Sequence, residues 1–101
     1  MSTITLFKLV SGEEIIATVT DDRTPSTITV EKARAIAVVQ TGPQQYGLQL
    51  FPFLKGAPDE EFDLYIHSII GQLPAPADLE RSYISQTSGI EIATSLSPLL
   101  G

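Results

Sequence analysis

The sequence predicts a mainly β protein: a small, strongly bent five-stranded barrel carrying a short C-terminal helix. Three observations carry this expectation. Apolar and β-branched residues recur at alternate positions in five runs between residues 3 and 70. Gly, Pro, Asp and Ser punctuate the gaps between those runs. Beyond residue 71 the pattern gives way to prolines and then to helical spacing.

The first run, "TITLFKLV" (3–10), puts Thr5, Phe7 and Leu9 on one face and Ile4 and Leu6 on the other, as in a strand covered on both sides. The next stretch is ambiguous. Ser11 and Glu14 have the spacing of a helix capping box. A helix there would carry Gly12 in its first turn and a crowd of β-branched residues, which lose side-chain freedom in helices. Residues 13–20 therefore read as a second strand, with Ile15, Ala17 and Val19 on one face and Glu14, Ile16, Thr18 and Thr20 on the other.

"DDRTPST" (21–27) is a turn by composition. The third run, 27–39, places Lys32 and Arg34 in the middle of the face that holds Ile28, Val30, Ile36 and Val38. Charges there predict a bend or bulge that changes which face points inward. Glu, Lys, Ala and Arg in this run are also good helix formers, so a helix is its rival. After "TGPQQ", residues 46–54 alternate again: Tyr46, Leu48 and Leu50 oppose Phe51 and Phe53. Pro52 cannot donate to a ladder and predicts an edge position or the end of pairing. An acidic loop precedes the fifth run, 62–70, where Phe62, Leu64, Ile66 and Ile70 share a side.

A helix is predicted near 77–87. Asp78 and Glu80 suit its first turn, Leu79 and Tyr83 share a packed face, and Gly89 suits its stop. Residues 93–101 are too short and mixed to assign. The chain is thus expected to form one domain, with a barrel over 1–73 and a helix and tail over 74–101 packed on it.

Composition narrows the function classes. The chain has 101 residues, 43% of them hydrophobic, and no cysteine. Disulfides and thiolate metal sites are excluded. No apolar run has bilayer-spanning length and the N-terminus lacks a signal-peptide pattern, so a cytoplasmic protein is expected. Net charge is −6, from six basic and twelve acidic side chains, which disfavours nonspecific nucleic-acid binding but leaves room for a local patch. His67 is the only histidine, the serines lack a nucleophile-elbow context, and the glycines make no phosphate loop. No catalytic residue, metal ligand or cofactor is expected, and the protein does not read as an enzyme. The acids Asp59, Glu60, Glu61 and Asp63 lack metal-loop spacing and read as a solvated loop. Lys32 and Arg34, two apart, could form a small basic stripe or surface ion pairs.

Residues 3–70 resemble the Sm-like (LSm) proteins, whose fold is a small SH3-like barrel. "ITLFKLVSGEEIIATVTDD" followed by "TITV" is similar to the first Sm motif, with Leu9, Gly12, Ile16, Val19 and Asp21 or Asp22 as landmarks. "LQLFPFLKG" and "FDLYIHSII" are similar to the second, with Lys55-Gly56 in its basic-Gly position. Thr24, Ser26 and Thr27 stand where the family usually has an Asn. With its C-terminal helix the chain looks like the small Sm-like proteins of marine cyanophage type, which implies a host-cytoplasmic protein. The resemblance implies a homo-oligomeric ring of about five to seven subunits, joined strand four to strand five. It implies single-stranded RNA or DNA bound at pore-facing loops, through Arg23 and Thr24 in one and Lys55 and Gly56 in the other, in a scaffold or chaperone role. Lys32 and Arg34 would extend that surface. Tyr46, Phe51, Phe53, Phe62 and Tyr65 become candidates for the subunit interface. The alternative is a structural or adaptor ring that binds protein and no nucleic acid; the two differ in whether the basic residues converge or are dispersed among acids.

Overall fold

The computed structural model describes residues 3–88. It holds one antiparallel sheet of six strands: β1 (Thr3–Leu9), β2 (Glu14–Asp21), β3 (Thr27–Gly42), β4 (Gln45–Pro52), β5 (Glu61–Tyr65) and β6 (Ile69–Pro74). A short 3-10 turn, Ile66–Ser68, joins β5 to β6, and a helix, α1, spans Ala77–Thr87. Strand order is β4-β3-β2-β1-β6, and β5 pairs with the first half of β3.

The β1–β2 connection settles the ambiguous stretch in favour of strands. Gly12 takes φ 93°, a left-handed conformation that glycine adopts without Cβ strain. Its N–H donates to Leu9 O (2.9 Å), and Leu9 N–H donates to Glu13 O (2.9 Å). Ser11 Oγ accepts from Glu13 N–H, so it caps a turn rather than a helix.

Alternation along β1 and β2 builds two cores on opposite faces of the sheet. Thr5, Phe7 and Leu9 are buried on the inner face, where Phe7 and Leu9 join Ile15, Ala17, Ile28, Val30, Ala33 and Leu64. Ile16 points the other way, to Leu50 and Tyr83, with Ile4, Ile36 and Leu79 around them. The expected bulge lies in β3. Ile16 pairs with Arg34 but Thr18 pairs with Glu31, so Lys32 and Ala33 oppose one residue, Ala17. Lys32 takes φ 56° there. The extra residue switches parity: Ile28 and Val30 face the inner core before the bulge, Ala33 and Ala35 after it.

One strand of the expected five divides in two. The alternating run 62–70 breaks at Ile66–Ser68, with β5 on β3 and β6 on β1. Ile66 N–H donates to Ser26 O (2.9 Å), Val10 N–H to Ser68 O (2.8 Å), and Ser68 Oγ to Tyr65 O (2.6 Å). The break reverses parity, so Ile69 packs against the inner core and Ile70 is exposed. No Gly or Pro marks it; a serine hydroxyl and two main-chain bonds hold the turn.

Helix α1 occupies the expected residues. Pro76 precedes it, Asp78 and Glu80 lie in its first turn, and Tyr83 is its buried residue. Gly89, expected as its stop, and the remainder of the tail lie outside the described residues. No helix among the described residues is long and apolar enough to cross a membrane.

Candidate functional site

The two ends of the sheet differ, and main-chain hydrogen bonds fix which groups each leaves open. Phe53 N–H donates to Ala33 O (3.0 Å), one step beyond the β3–β4 ladder. Antiparallel pairs alternate, so Tyr46, Leu48, Leu50 and Pro52 occupy positions whose main-chain groups turn away from β3. One of them is already taken: Leu50 O accepts from Gln86 Nε2 of α1 (3.0 Å). On β6, Ala75 N–H donates to Ile4 O (3.1 Å), which by the same alternation turns Gln72 and Pro74 outward. Both prolines therefore sit where a missing N–H removes no ladder bond. They also blunt each open edge at its end.

Large apolar side chains flank these edges. Tyr46, Leu48 and Val38 are exposed at the β3–β4 end, and Ile70 and Leu73 along β6. Of the residues expected at an interface, Tyr46, Phe51 and Tyr65 are exposed. Phe53 and Phe62 are not available in the same way. Their rings stack with centroids 6.1 Å apart, and both pack against the inner core. Leu48, Ile70 and Leu73 are additions; their exposure depends on strand order and on the parity change at Ile66–Ser68.

The basic residues are dispersed. Lys32 and Arg34 do not form an exposed stripe, because the bulge separates them and Arg34 is turned under α1. The Arg34 residue is 6% exposed. Its Nη2 donates to Asp59 Oδ1 (2.6 Å), Nη1 to Pro58 O (2.7 Å) and Ala33 O (3.2 Å), and Nε to Gln86 Oε1 (3.1 Å). A planar guanidinium with several fixed donors suits such a junction. It ties β3, the 53–60 loop and α1 together.

Arg23 projects from the 22–26 turn, its side chain 86% exposed, but it is held on Asp21 through Nε (3.0 Å) and Nη2 (3.3 Å). That bond holds the Asp21 carboxyl below the usual carboxylate range and raises the Arg23 guanidinium. Thr24 braces the same turn: its Oγ1 donates to Thr27 O (2.6 Å) and accepts from Thr27 N–H (3.1 Å). Lys8 pairs with Glu14 (3.4 Å) and Arg81 with Asp78. Lys32 and Lys55 make no ion pair among the described residues.

Lys55 and Gly56 fall in the 53–60 loop between β4 and β5, not in the turn before the last strand. That turn is Ile66–Ser68, and it adjoins 22–26 through the Ser26–Ile66 bond. Loop 53–60 opens at the Glu61 end of β5 and the 22–26 turn lies at its Tyr65 end. Roughly 13 Å of strand separates the ends at ~3.3 Å per residue. The turn that carries Arg23 thus adjoins the segment that carries exposed Tyr65 and His67, while Lys55 lies in the loop at the other end of β5.

Three of the four acids in and after the 53–60 loop have structural partners. Asp59 holds Arg34, Glu61 Oε2 accepts from Thr20 Oγ1 (2.8 Å), and Asp63 Oδ1 from Thr29 Oγ1 (2.8 Å). Among the described residues, no three His, Asp or Glu side chains converge as a metal site. No protein-family model matches this chain, and no curated protein matches it.

Proposed function

We propose that the protein is a self-assembling, Sm-like scaffold whose copies join edge to edge. One observation carries this reading: the β4-β3-β2-β1-β6 path ends in two unlike open edges, each with outward main-chain groups and exposed apolar side chains. Unlike edges make a head-to-tail contact, which repeats until a rotation closes it into a ring. The Sm-like reading is supported by the final strand lying beside the first, by the short turn before it, and by the bulged third strand. Dispersal of the cations among acids favours the adaptor role, a ring that engages protein. Mass measurement in solution across a concentration series tests the assembly. A multiple of the 10.9 kDa chain mass is expected, and a monomer at every concentration would sink the reading.

Single-stranded RNA or DNA is the second reading. The observation in its favour is the Ser26–Ile66 bond, which joins the turn carrying Arg23 to the segment carrying exposed Tyr65 and His67. An aromatic face and a guanidinium can stack and pair with an unstacked nucleotide. Titration of labelled oligo-U and oligo-A against the protein and its Arg23→Ala and Lys55→Ala variants, at two salt concentrations, tests it. Binding at low salt that weakens with Arg23→Ala is expected. Absence of binding leaves the adaptor.

A further inference from the structure

We propose that a pocket on the inner face of the sheet, where β1, β2 and β6 meet, binds a small aliphatic ammonium compound that also carries a hydroxyl. Cross-strand partners share a face, and the register sets Thr5 opposite both Ala17 and Pro74, and Phe7 opposite Gln72. Phe7 and Ala17 belong to the inner core, so Thr5, Gln72 and Pro74 stand on its side of the sheet. Towards the start of β1 that face turns from Leu9 and Phe7 to Thr5 and Thr3, and the apolar core runs out. A pocket of about 260 Å³ opens there. Its floor is Thr5 and Ile28, 7% and 8% exposed, with half-buried Val19 beside them and exposed Asp22, Gln72 and Pro74 at the rim.

Two unengaged polar groups at different depths define the ligand. Thr5 is buried, yet its hydroxyl makes no hydrogen bond among the described residues. Every fully buried side-chain polar atom among them has a partner, so this hydroxyl keeps a path to the accessible surface, and the pocket is the surface Thr5 lines. Buried hydroxyls are ordinarily satisfied; one left open to a cavity can pair with a hydroxyl of the ligand. At the rim, Asp22 makes no hydrogen bond or ion pair among the described residues. Its neighbour Arg23 is held on Asp21 and feels Asp22 only through space. No cationic side chain lines the pocket, and the Gln72 amide adds an acceptor. An ammonium group, with three N–H donors and a positive charge, suits that rim. Val19 and Ile28 between the two levels suit a short methylene chain. The volume lies below the range of drug-sized sites, about 300–1,000 Å³, so the ligand is small.

Amide NMR on the full chain, titrated with 4-aminobutanol, tests the proposal. Saturable shifts are expected at Thr5, Val19, Asp22 and Gln72, with a dissociation constant on the order of 1 mM, as a ligand this small allows. Pentylamine replaces the hydroxyl by a methyl group and pentanol replaces the ammonium; each should bind at least about threefold more weakly. Asp22→Asn should weaken 4-aminobutanol by about threefold or more, while Glu13→Gln, the same charge change at an exposed site elsewhere, leaves it unaltered. Thr5→Val should weaken 4-aminobutanol and spare pentylamine, a split that mere damage to the pocket would not give. Protection of the Ile16 amide reports that the sheet itself is intact in each variant. Shifts that grow without saturating, or that fall outside these residues, overturn the site. Affinity indifferent to Asp22→Asn, or shared by pentanol, overturns the ammonium assignment. Equal binding of pentylamine and 4-aminobutanol overturns the role of the Thr5 hydroxyl.

Discussion

The Tyr83 hydroxyl lies 2.8 Å from Thr18 Oγ1 and 3.3 Å from Glu31 O, and this pair of contacts pins α1 to β2 and β3. The ring is buried to 1% exposure against Ile16 and Leu50, so helix and sheet share one apolar seam with a polar anchor at its end. Tyr83→Ala should destabilise the fold by about 3–5 kcal/mol through the cavity it leaves. Tyr83→Phe keeps the packing and loses the hydroxyl contacts, at about 1 kcal/mol. Urea denaturation separates the two, and equal losses would contradict the assigned roles.

Burial raises the Tyr83 phenol above its ordinary value of 10.0. The folded state therefore holds the proton after the unfolded chain has released it. The resulting stability is complete below about pH 10 and is lost as pH rises through the folded value. Denaturation midpoints should fall above pH 10 in the wild type and fall less in Tyr83→Phe.

Arg34 is the second anchor, and its neighbours set the expected cost of losing it. Removing the guanidinium strands Gln86 Oε1 and Pro58 O beneath α1. Arg34→Ala should cost about 3 kcal/mol, the lower end for a broken buried pair because Asp59 keeps 61% of its side chain in water. Arg34→Lys should recover only part of this, since an ammonium cannot reproduce the fork. Asp59→Asn should cost less than either. Thermal melts of the three variants check the order.

These anchors also show how far the sequence could be read. Strand periodicity, the bulge near Lys32, the Gly12 turn and the 77–87 helix were legible, because each follows from local pattern and backbone preference. The buried state of Arg34 was not. Alternation placed it two residues from Lys32 on one face, and only the extra bulge residue turns it towards a helix fifty residues away. The break at Ile66–Ser68 was hidden for a different reason: its signals are tertiary hydrogen bonds to Val10 and Ser26, while "IHSII" continues the apolar pattern without a breaker. Lys55-Gly56 lies between the fourth and fifth strands as the order of the sequence has it, but its separation from Arg23 along β5 is a matter of strand pairing that local order does not carry.

Asp21 and Arg23 offer a local test in the 22–26 turn. The hydrogen bond from Arg23 lowers the Asp21 carboxyl, so whatever the pair contributes is present above the ordinary carboxylate value and is lost as pH falls. Arg23→Ala should move the Asp21 titration upward, read by NMR of its carboxyl carbon. Stability at neutral pH should change little, because Arg23 is largely exposed and a surface ion pair contributes little. An unchanged Asp21 titration would show that the pair does not persist in solution.

The two edges can be blocked one at a time. Leu48 on β4 and Ile70 on β6 are 62% and 63% exposed, so Leu48→Lys and Ile70→Lys should each leave stability within about 0.5 kcal/mol. A lysine on an edge strand opposes pairing with a further strand. Leu48→Lys loses its β4 edge and keeps β6; Ile70→Lys does the reverse. At concentrations where the wild-type chain assembles, each variant alone should remain a monomer, because a head-to-tail contact needs both edges. Mixed in equal amounts, the intact β4 edge of one meets the intact β6 edge of the other. The product should be a heterodimer that grows no further, since its two outer edges are the blocked ones. Mass photometry or sedimentation distinguishes the cases. A contact that pairs like with like gives another result: Leu48→Lys would still dimerise through β6, and mixing would add nothing.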